Sequence, residues 1–106
     1  MGPRIAVVGS INADLVVQMP KLPGRGETVS SAEPAWFPGG KGANQAVAAA
    51  RMGGNVYMFG AIGADEPGQM CLSALKQSGV NVDAVVTALS PTSTALVMVE
   101  HSGENQ

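Results

Sequence analysis

The 106-residue sequence predicts an α/β domain: a parallel sheet flanked by helices, with a small second sheet beside it. Three observations lead there. Short continuous apolar runs such as IAVVG (residues 5–9) end in glycine, as strands buried on both faces of a parallel sheet do. Glycine-rich turns open helical stretches, so strand and helix alternate along the chain. Other segments alternate apolar and polar residues, the pattern of strands with one solvated face.

Taken in order, the first core strand is expected at residues 4–9. ADLVVQM (13–19) follows as an alternating strand. Ala13, Leu15, Val17 and Met19 share one face, and Asn12, Asp14, Val16 and Gln18 share the other. PKLPGRGE (20–27) is dense in Pro and Gly and reads as a loop. ETVSSAEPAW (27–36) is expected as a second strand of the small sheet, with Pro34 confining it to an edge or a bulge. ANQAVAAARM (43–52) is alanine-rich and helical, and Gly53 and Gly54 stop it. NVYMFGAIG (55–63) is another buried strand. Asp65 caps a helix over 66–78, with Pro67 in the first turn and Cys71, Leu72, Leu75 and Ser78 at helical spacing. VDAVV (82–86) is a candidate short strand, and STALVMVE (93–100) completes the small sheet. A single domain is expected over residues 1–106. The final EHSGENQ carries turn chemistry, like the middle of a hairpin whose second strand is absent, so a truncated domain is expected.

Composition excludes several function classes. Apolar residues make up 45% and charged residues 13%, the balance of a buried core rather than of a disordered segment. Net charge is −2 and the six basic residues are scattered, which argues against nucleic acid as a partner. No apolar run approaches a membrane span. The first ten residues lack the apolar core of a signal peptide, and Ala6 breaks the myristoylation pattern. A cytoplasmic location is expected. The single cysteine, Cys71, excludes an internal disulfide and a cysteine-based metal cluster.

PGGKGANQ (38–45) is the stretch with the most chemistry in it. A P-loop needs Ser or Thr after its lysine to reach magnesium, and Lys41 is followed by Gly42. The dinucleotide fingerprint fails too, since Gly40-Lys41-Gly42 leads into Ala43-Asn44-Gln45. What remains is physical. Glycines let a backbone approach a ligand, a helix N-terminus presents amides, Lys41 adds a charge, and Asn44 adds a donor and an acceptor. This suits a ligand with several hydroxyls as well as a phosphate. A plain turn leading into a capped helix is the competing reading, and the same holds for Asn12 and Asp14. Both segments follow strands, and loops at the carboxyl ends of parallel strands are where α/β proteins bind ligands.

GSINADLVV, LPGRGETV, PGGKGANQAVAAARMG, AIGADEPGQ and STALVMVEHSGEN together resemble the amino-terminal third of the ribokinase family, within the phosphofructokinase-B group of carbohydrate kinases. GSINAD with the long GGKGANQAVAAARMG block favours that branch over fructokinases and adenosine kinases. The resemblance implies a ribokinase-like fold whose small sheet is a lid over the sugar. It implies transfer of phosphate from ATP, with Mg2+ and a monovalent cation such as K+, to convert D-ribose to ribose 5-phosphate. It implies that Asn12 and Asp14 bond sugar hydroxyls, that Gly39, Gly40, Lys41, Gly42 and Asn44 hold the sugar from the loop, and that Ala95 and Val97 line it from the lid. It also implies a homodimer formed through the lid.

The family's later NxxE motif, its Gly-Ala-Gly-Asp anion hole with the catalytic aspartate, and its adenine and cation sites lie beyond Gln106. Asp14 looks like a substrate orienter rather than a base, so no catalytic residue is assigned and the isolated chain is expected not to turn over. The alternative is a stand-alone sugar-binding or lid-type dimerisation module without catalysis. Cys71 reads as a small core residue and His101 as a surface histidine. Trp36 and Phe37 read as core or lid contacts, and Met19, Met52, Met58, Met70 and Met98 as gap fillers.

Overall fold

The computed structural model describes residues 3–28 and 34–100. In chain order its elements are β1 (Arg4–Val8), β2 (Asn12–Met19), β3 (Ala35–Gly39), α1 (Lys41–Arg51), β4 (Asn55–Phe59), β5 (Ala61–Gly63), α2 (Glu66–Gln77), β6 (Val86–Ala88) and β7 (Ser93–Glu100). β1 pairs in parallel with β4, and β5 in parallel with β6. The far side of β4 is bridged by Asn81, which exchanges two backbone bonds of 2.9 Å with Val56 and Met58. The third sheet runs β3-β2-β7, antiparallel on one side of β2 and parallel on the other.

Four boundaries differ from the sequence expectation, each for a physical reason. Gly60 splits the expected strand 55–63 in two. A Cβ there would lie 2.8 Å from the Gly9 carbonyl oxygen, so the chain bends where it passes the loop after β1. Residues 82–85 form a turn, closed by the Val85 amide on the Val82 carbonyl, and the short strand follows at 86–88. α1 starts two residues early, at Lys41, because Gly40 takes φ +98° and turns the chain straight into the helix. The edge strand expected at 27–36 lies at Ala35–Gly39, where Trp36 and Phe37 favour a pleated surface and Pro38 is tolerated on an edge. Part of the expected range, residues 29–33, lies outside the described residues, as do His101 and the rest of the final turn segment.

Both helices end in the same way. Gly53 and Gly79 take φ of +94° and +88°, and each follows its C-cap residue. The Gly54 amide reaches back to the Ala49 carbonyl and the Val80 amide to the Leu75 carbonyl, both at 3.0 Å. These are Schellman closures, and in α2 the accompanying apolar contact joins Val80 to Leu75, both buried. At the start of α2 the Asp65 carboxylate accepts from the Gly68 amide at 2.9 Å.

The core gathers Ile11 and Ala13 from the start of β2, Val56 and Met58 from β4, Ile62, and Cys71 with Leu75 from α2. α1 contributes only Ala43 and Ala46 to it, which lets the helix lie close on the strands. Met19 and Met58 are buried gap fillers as expected, whereas Met52 is 89% exposed and Met98 51%. Trp36 and Phe37 are also half-exposed on the small sheet rather than in the core. The radius of gyration is 16.6 Å. A compact domain of this length has about 13 Å, so the chain is less compact than a closed domain of its size.

Two expected outcomes follow from these contacts. A Cβ on Gly42 would lie 2.7 Å from the Gly9 Cα and carbonyl carbon and 2.8 Å from the Ser10 nitrogen, all backbone. Gly42→Ala therefore has to separate helix from loop, at about 2–3 kcal/mol, more than the ~1 kcal/mol that alanine adds as a helix former. A urea titration reads this as a lower midpoint with an unchanged slope. Hydrogen bonds from Thr92 and Gly68 hold the Asp65 carboxyl below its ordinary value of 3.8. Its stabilisation is full above that value and is lost as pH falls through the lowered one. The stability difference between the wild type and Asp65→Asn is thus expected to be largest at neutral pH and to shrink below 3.8.

Candidate functional site

The site forms where β1 hands over to β2 and meets the start of α1. β1 ends at Val8, and Gly9 to Ile11 carry the chain into β2. The Ser10 carbonyl accepts the Ala43 amide at 3.0 Å. That bond uses the third amide of α1. The Lys41 and Gly42 amides are the other two of the first turn without an intrahelical acceptor, at the positive end of the helix dipole. Gly40 fits only as glycine. Its φ is +98°, and a Cβ would lie 2.6 Å from the Ser10 carbonyl oxygen.

β2 carries the polar face. Asn12 stands opposite Gly39 of β3 and Ser93 of β7. Asp14 stands opposite Phe37 and Ala95, and Val16 opposite Ala35 and Val97. Directly opposed residues share a face, so Asn12, Asp14, Gly39, Ala95 and Val97 line one surface of the sheet. The Asp14 carboxylate fills the space a side chain on residue 39 would take, with Oδ2 2.5 Å and Cγ 2.8 Å from the position of that Cβ. The missing side chain of Gly39 is what lets the acid lie across the mouth of the glycine turn.

Of the expected ligand residues, these five and Gly40 are brought together by register and the turn. Lys41 follows at once and is exposed. Gly42 is buried against Gly9 and serves the helix-to-loop contact. Asn44 lies one turn further on. It lines a cavity of about 250 Å³ between the helices, with Val47 and Arg51 on its own wall and Cys71, Ala74 and Ser78 opposite.

Two neighbours of the site were not legible as such. Cys71 lies beneath it, buried, and its thiol donates to the Asn12 carbonyl at 3.2 Å. Burial pushes this thiol up against the lowering effect of the Gly39 amide, and the charges of Asp14 and Asp65 add to the rise. It is therefore a neutral donor under the first residue of β2, not a nucleophile. The other is Thr92, buried just before β7 and bonded to Asp65. Helical spacing gave Cys71 a core place but no contact with Asn12, and nothing in the sequence pairs Thr92 with Asp65.

The glycine turn does not have the P-loop pattern. Gly42 stands where a P-loop has its hydroxyl, and the third helical amide is taken by Ser10. No group of three metal-binding side chains comes together among the described residues. Among them also, no helix is long and apolar enough to cross a membrane.

Comparison with known proteins fits this geometry. Residues 3–106 match the model of the pfkB family carbohydrate kinases. The chain is 45% identical to the ribokinase of Bacillus subtilis over 102 residues, covering 96% of this chain and 35% of the relative. It is 46% identical to that of Schizosaccharomyces pombe over 111 residues, covering 97% and 35%. Its structure superposes on Arabidopsis thaliana ribokinase complexed with ribose and ATP with a TM-score of 0.85, at 39% identity, covering 100% of this chain and 35% of that one. The chain thus spans about a third of the length of the relatives it matches, at their amino-terminal side. On the family match and these identities, the chain belongs to the pfkB family of carbohydrate kinases.

Proposed function

We propose that this chain is the sugar-binding part of a ribokinase-type kinase that phosphorylates D-ribose to ribose 5-phosphate. The observation that carries this reading is the register that sets Asn12 and Asp14 on one face with Gly39, Ala95 and Val97. A furanose offers hydroxyls on its edges and an apolar carbon face. A carboxylate accepts from two hydroxyls, Asn12 can donate or accept, and Lys41 only donates, so the group reads ring orientation. Ala95 and Val97 give the carbon face a small apolar floor. The Arabidopsis thaliana ribokinase was solved with ribose and ATP, which supports the same pair of ligands for the complete enzyme of which these residues would be a part.

Asn12, Asp14, Gly39, Gly40, Lys41, Gly42, Asn44, Ala95 and Val97 form the proposed sugar side, with Gly42 acting through the fit of helix to loop. Asp14 orients the sugar. ATP, Mg2+ and a monovalent cation such as K+ act at sites these residues do not form. The sheet β3-β2-β7 is the lid. The exposed apolar side chains on its face away from Asp14, among them Trp36, Leu96 and Met98, suit pairing with the lid of a second copy in the cytoplasm. The sugar reading therefore carries no phosphoryl-transfer step within this chain.

The test is calorimetric titration of the 106-residue chain with D-ribose, with D-fructose as control. Saturable heat is expected with ribose alone. Asp14→Ala should weaken it about tenfold to a hundredfold, the range for losing hydrogen bonds to a charged group. Gly39→Ala should weaken it as well, because its Cβ displaces the carboxylate. Circular dichroism confirms that both variants remain folded. Equal heats for the two sugars, or unchanged affinity in folded Asp14→Ala, would refute the assignment. No ribose-dependent ADP is expected when ATP and Mg2+ are added.

A further inference from the structure

The start of β7 is tied to the body by one buried residue. Thr92 is 4% exposed and immediately precedes the strand. Its amide donates to Asp65 Oδ2 at 2.9 Å, and its hydroxyl donates to Asp65 Oδ1. The same hydroxyl accepts the Gly63 amide at 2.8 Å. Gly63 and Gly68 leave the room: a Cβ on Gly63 would lie 2.5 Å from the Thr92 nitrogen, and one on Gly68 would lie 2.6 Å from its Oγ1. Asp65 is also the cap of α2. The Asp65–Thr92 pair thus joins the end of β5, the first turn of α2 and the entry to β7.

An ordinary helix cap needs only the bond to Gly68. The two bonds to Thr92 serve something else, and the register shows what. Ser93 stands opposite Asn12 and Ala95 opposite Asp14. Three residues separate Thr92 from Ala95, about 10 Å of strand. β2 and β7 are parallel and far apart in sequence, so no tight turn sets their register. A slip of one residue would turn Ala95 and Val97 to the other face.

We propose that Asp65 and Thr92 are positioning residues for the sugar face: their clamp fixes the register and docking of β7 on β2, and so the place of Ala95 and Val97 relative to Asp14. This rests on the sugar reading above and adds two residues that touch no sugar. Ligand that binds only the docked strand loses apparent affinity in proportion to the undocked fraction.

Three variants of the 106-residue chain test it, by ribose titration and by amide hydrogen exchange. Thr92→Val keeps the shape and removes the hydroxyl. Thr92→Ser restores it. Asp65→Asn can keep its carbonyl oxygen on Gly68, preserving the cap, while its amide group faces the Thr92 N–H and breaks that bond; it serves if Thr92→Val fails to fold. Ribose affinity is expected to fall about tenfold in Thr92→Val and Asp65→Asn, beyond any loss of folded fraction, and to stay within about twofold in Thr92→Ser. Exchange should quicken at the amides of residues 93–97 and stay unchanged in α1 and β4. Wild-type affinity in Thr92→Val, or equal losses in the Val and Ser variants together with a general rise in exchange, overturns the proposal. If the wild type does not bind ribose, the sugar reading has failed, and exchange alone decides the clamp. Local quickening at 93–97 upholds it as what fixes that face, and unchanged exchange overturns it.

Discussion

The bond from the Ala43 amide to the Ser10 carbonyl is the contact on which the rest of this structure depends. It fastens the first turn of α1 to the loop leaving β1 at backbone-to-backbone distance. That distance leaves no room for a Cβ at Gly40 or Gly42, and one at Gly9 would lie 3.0 Å from the Gly42 Cα. The loop so held delivers Asn12 and Asp14 into β2 at a fixed place relative to Lys41. The same helix packs on β1 and β4 through alanines, so the parallel pair and the polar strand share one anchor. A larger side chain at any of these glycines would move the ligand groups and the core together.

From that anchor, β2 works as a hinge between two environments. Its entry belongs to the body: Ile11, just before the strand, and Ala13 are buried in the core, and the Asn12 carbonyl receives the Cys71 thiol. From Asn12 to Val16 it is the middle strand of a sheet with exposed apolar residues on both flanks, and beyond Val16 it keeps its pairing with β7. The acid sits at the change from one to the other. Its backbone is held by two strands, while its carboxylate lies over a glycine. A polar group intended for a ligand needs this combination, since rigid neighbours hold it in place and its own atoms stay free for the ligand.

Much of this was legible in the sequence because it is local. Alternation in 13–19 and 93–100 marks which residues share a face, and that parity alone sets Asn12 with Asp14 and Ala95 with Val97. Helix ends were readable from Gly53, Gly79 and Asp65, whose roles are set by dihedrals and side-chain chemistry within a few residues. What local pattern cannot give is which strands meet. The parallel pairing of β2 with β7, the passage of Gly60 over Gly9, and the Asp65–Thr92 clamp join residues 27 to 81 positions apart. The edge strand expected to end at Trp36 runs on to Gly39, because alternation cannot fix where an edge ends. Its partner decides, and Gly39 had to meet Asn12. Met52 and Met98 were misplaced for a related reason. An apolar side chain is buried only if something covers it, and that is a property of the whole fold.

The proposed sugar face and the β1–β4 pair are built differently, and this bears on mechanism. Among the described residues the face is built by two strand pairings, β2 with β3 and β2 with β7. The β1–β4 pair is more open. Ile5 and Phe59 are more than a third exposed and line an open groove with Arg4, and Val8 is 81% exposed. A face that only orients hydroxyls needs a few groups at fixed separations, which two strand pairings and one turn supply. Phosphoryl transfer needs a positioned base, phosphates and metal converging on one hydroxyl, and those groups must come from several elements around a filled core. Substrate orientation is thus a local property of the strand and turn, whereas the chemical step is a property of the closed domain.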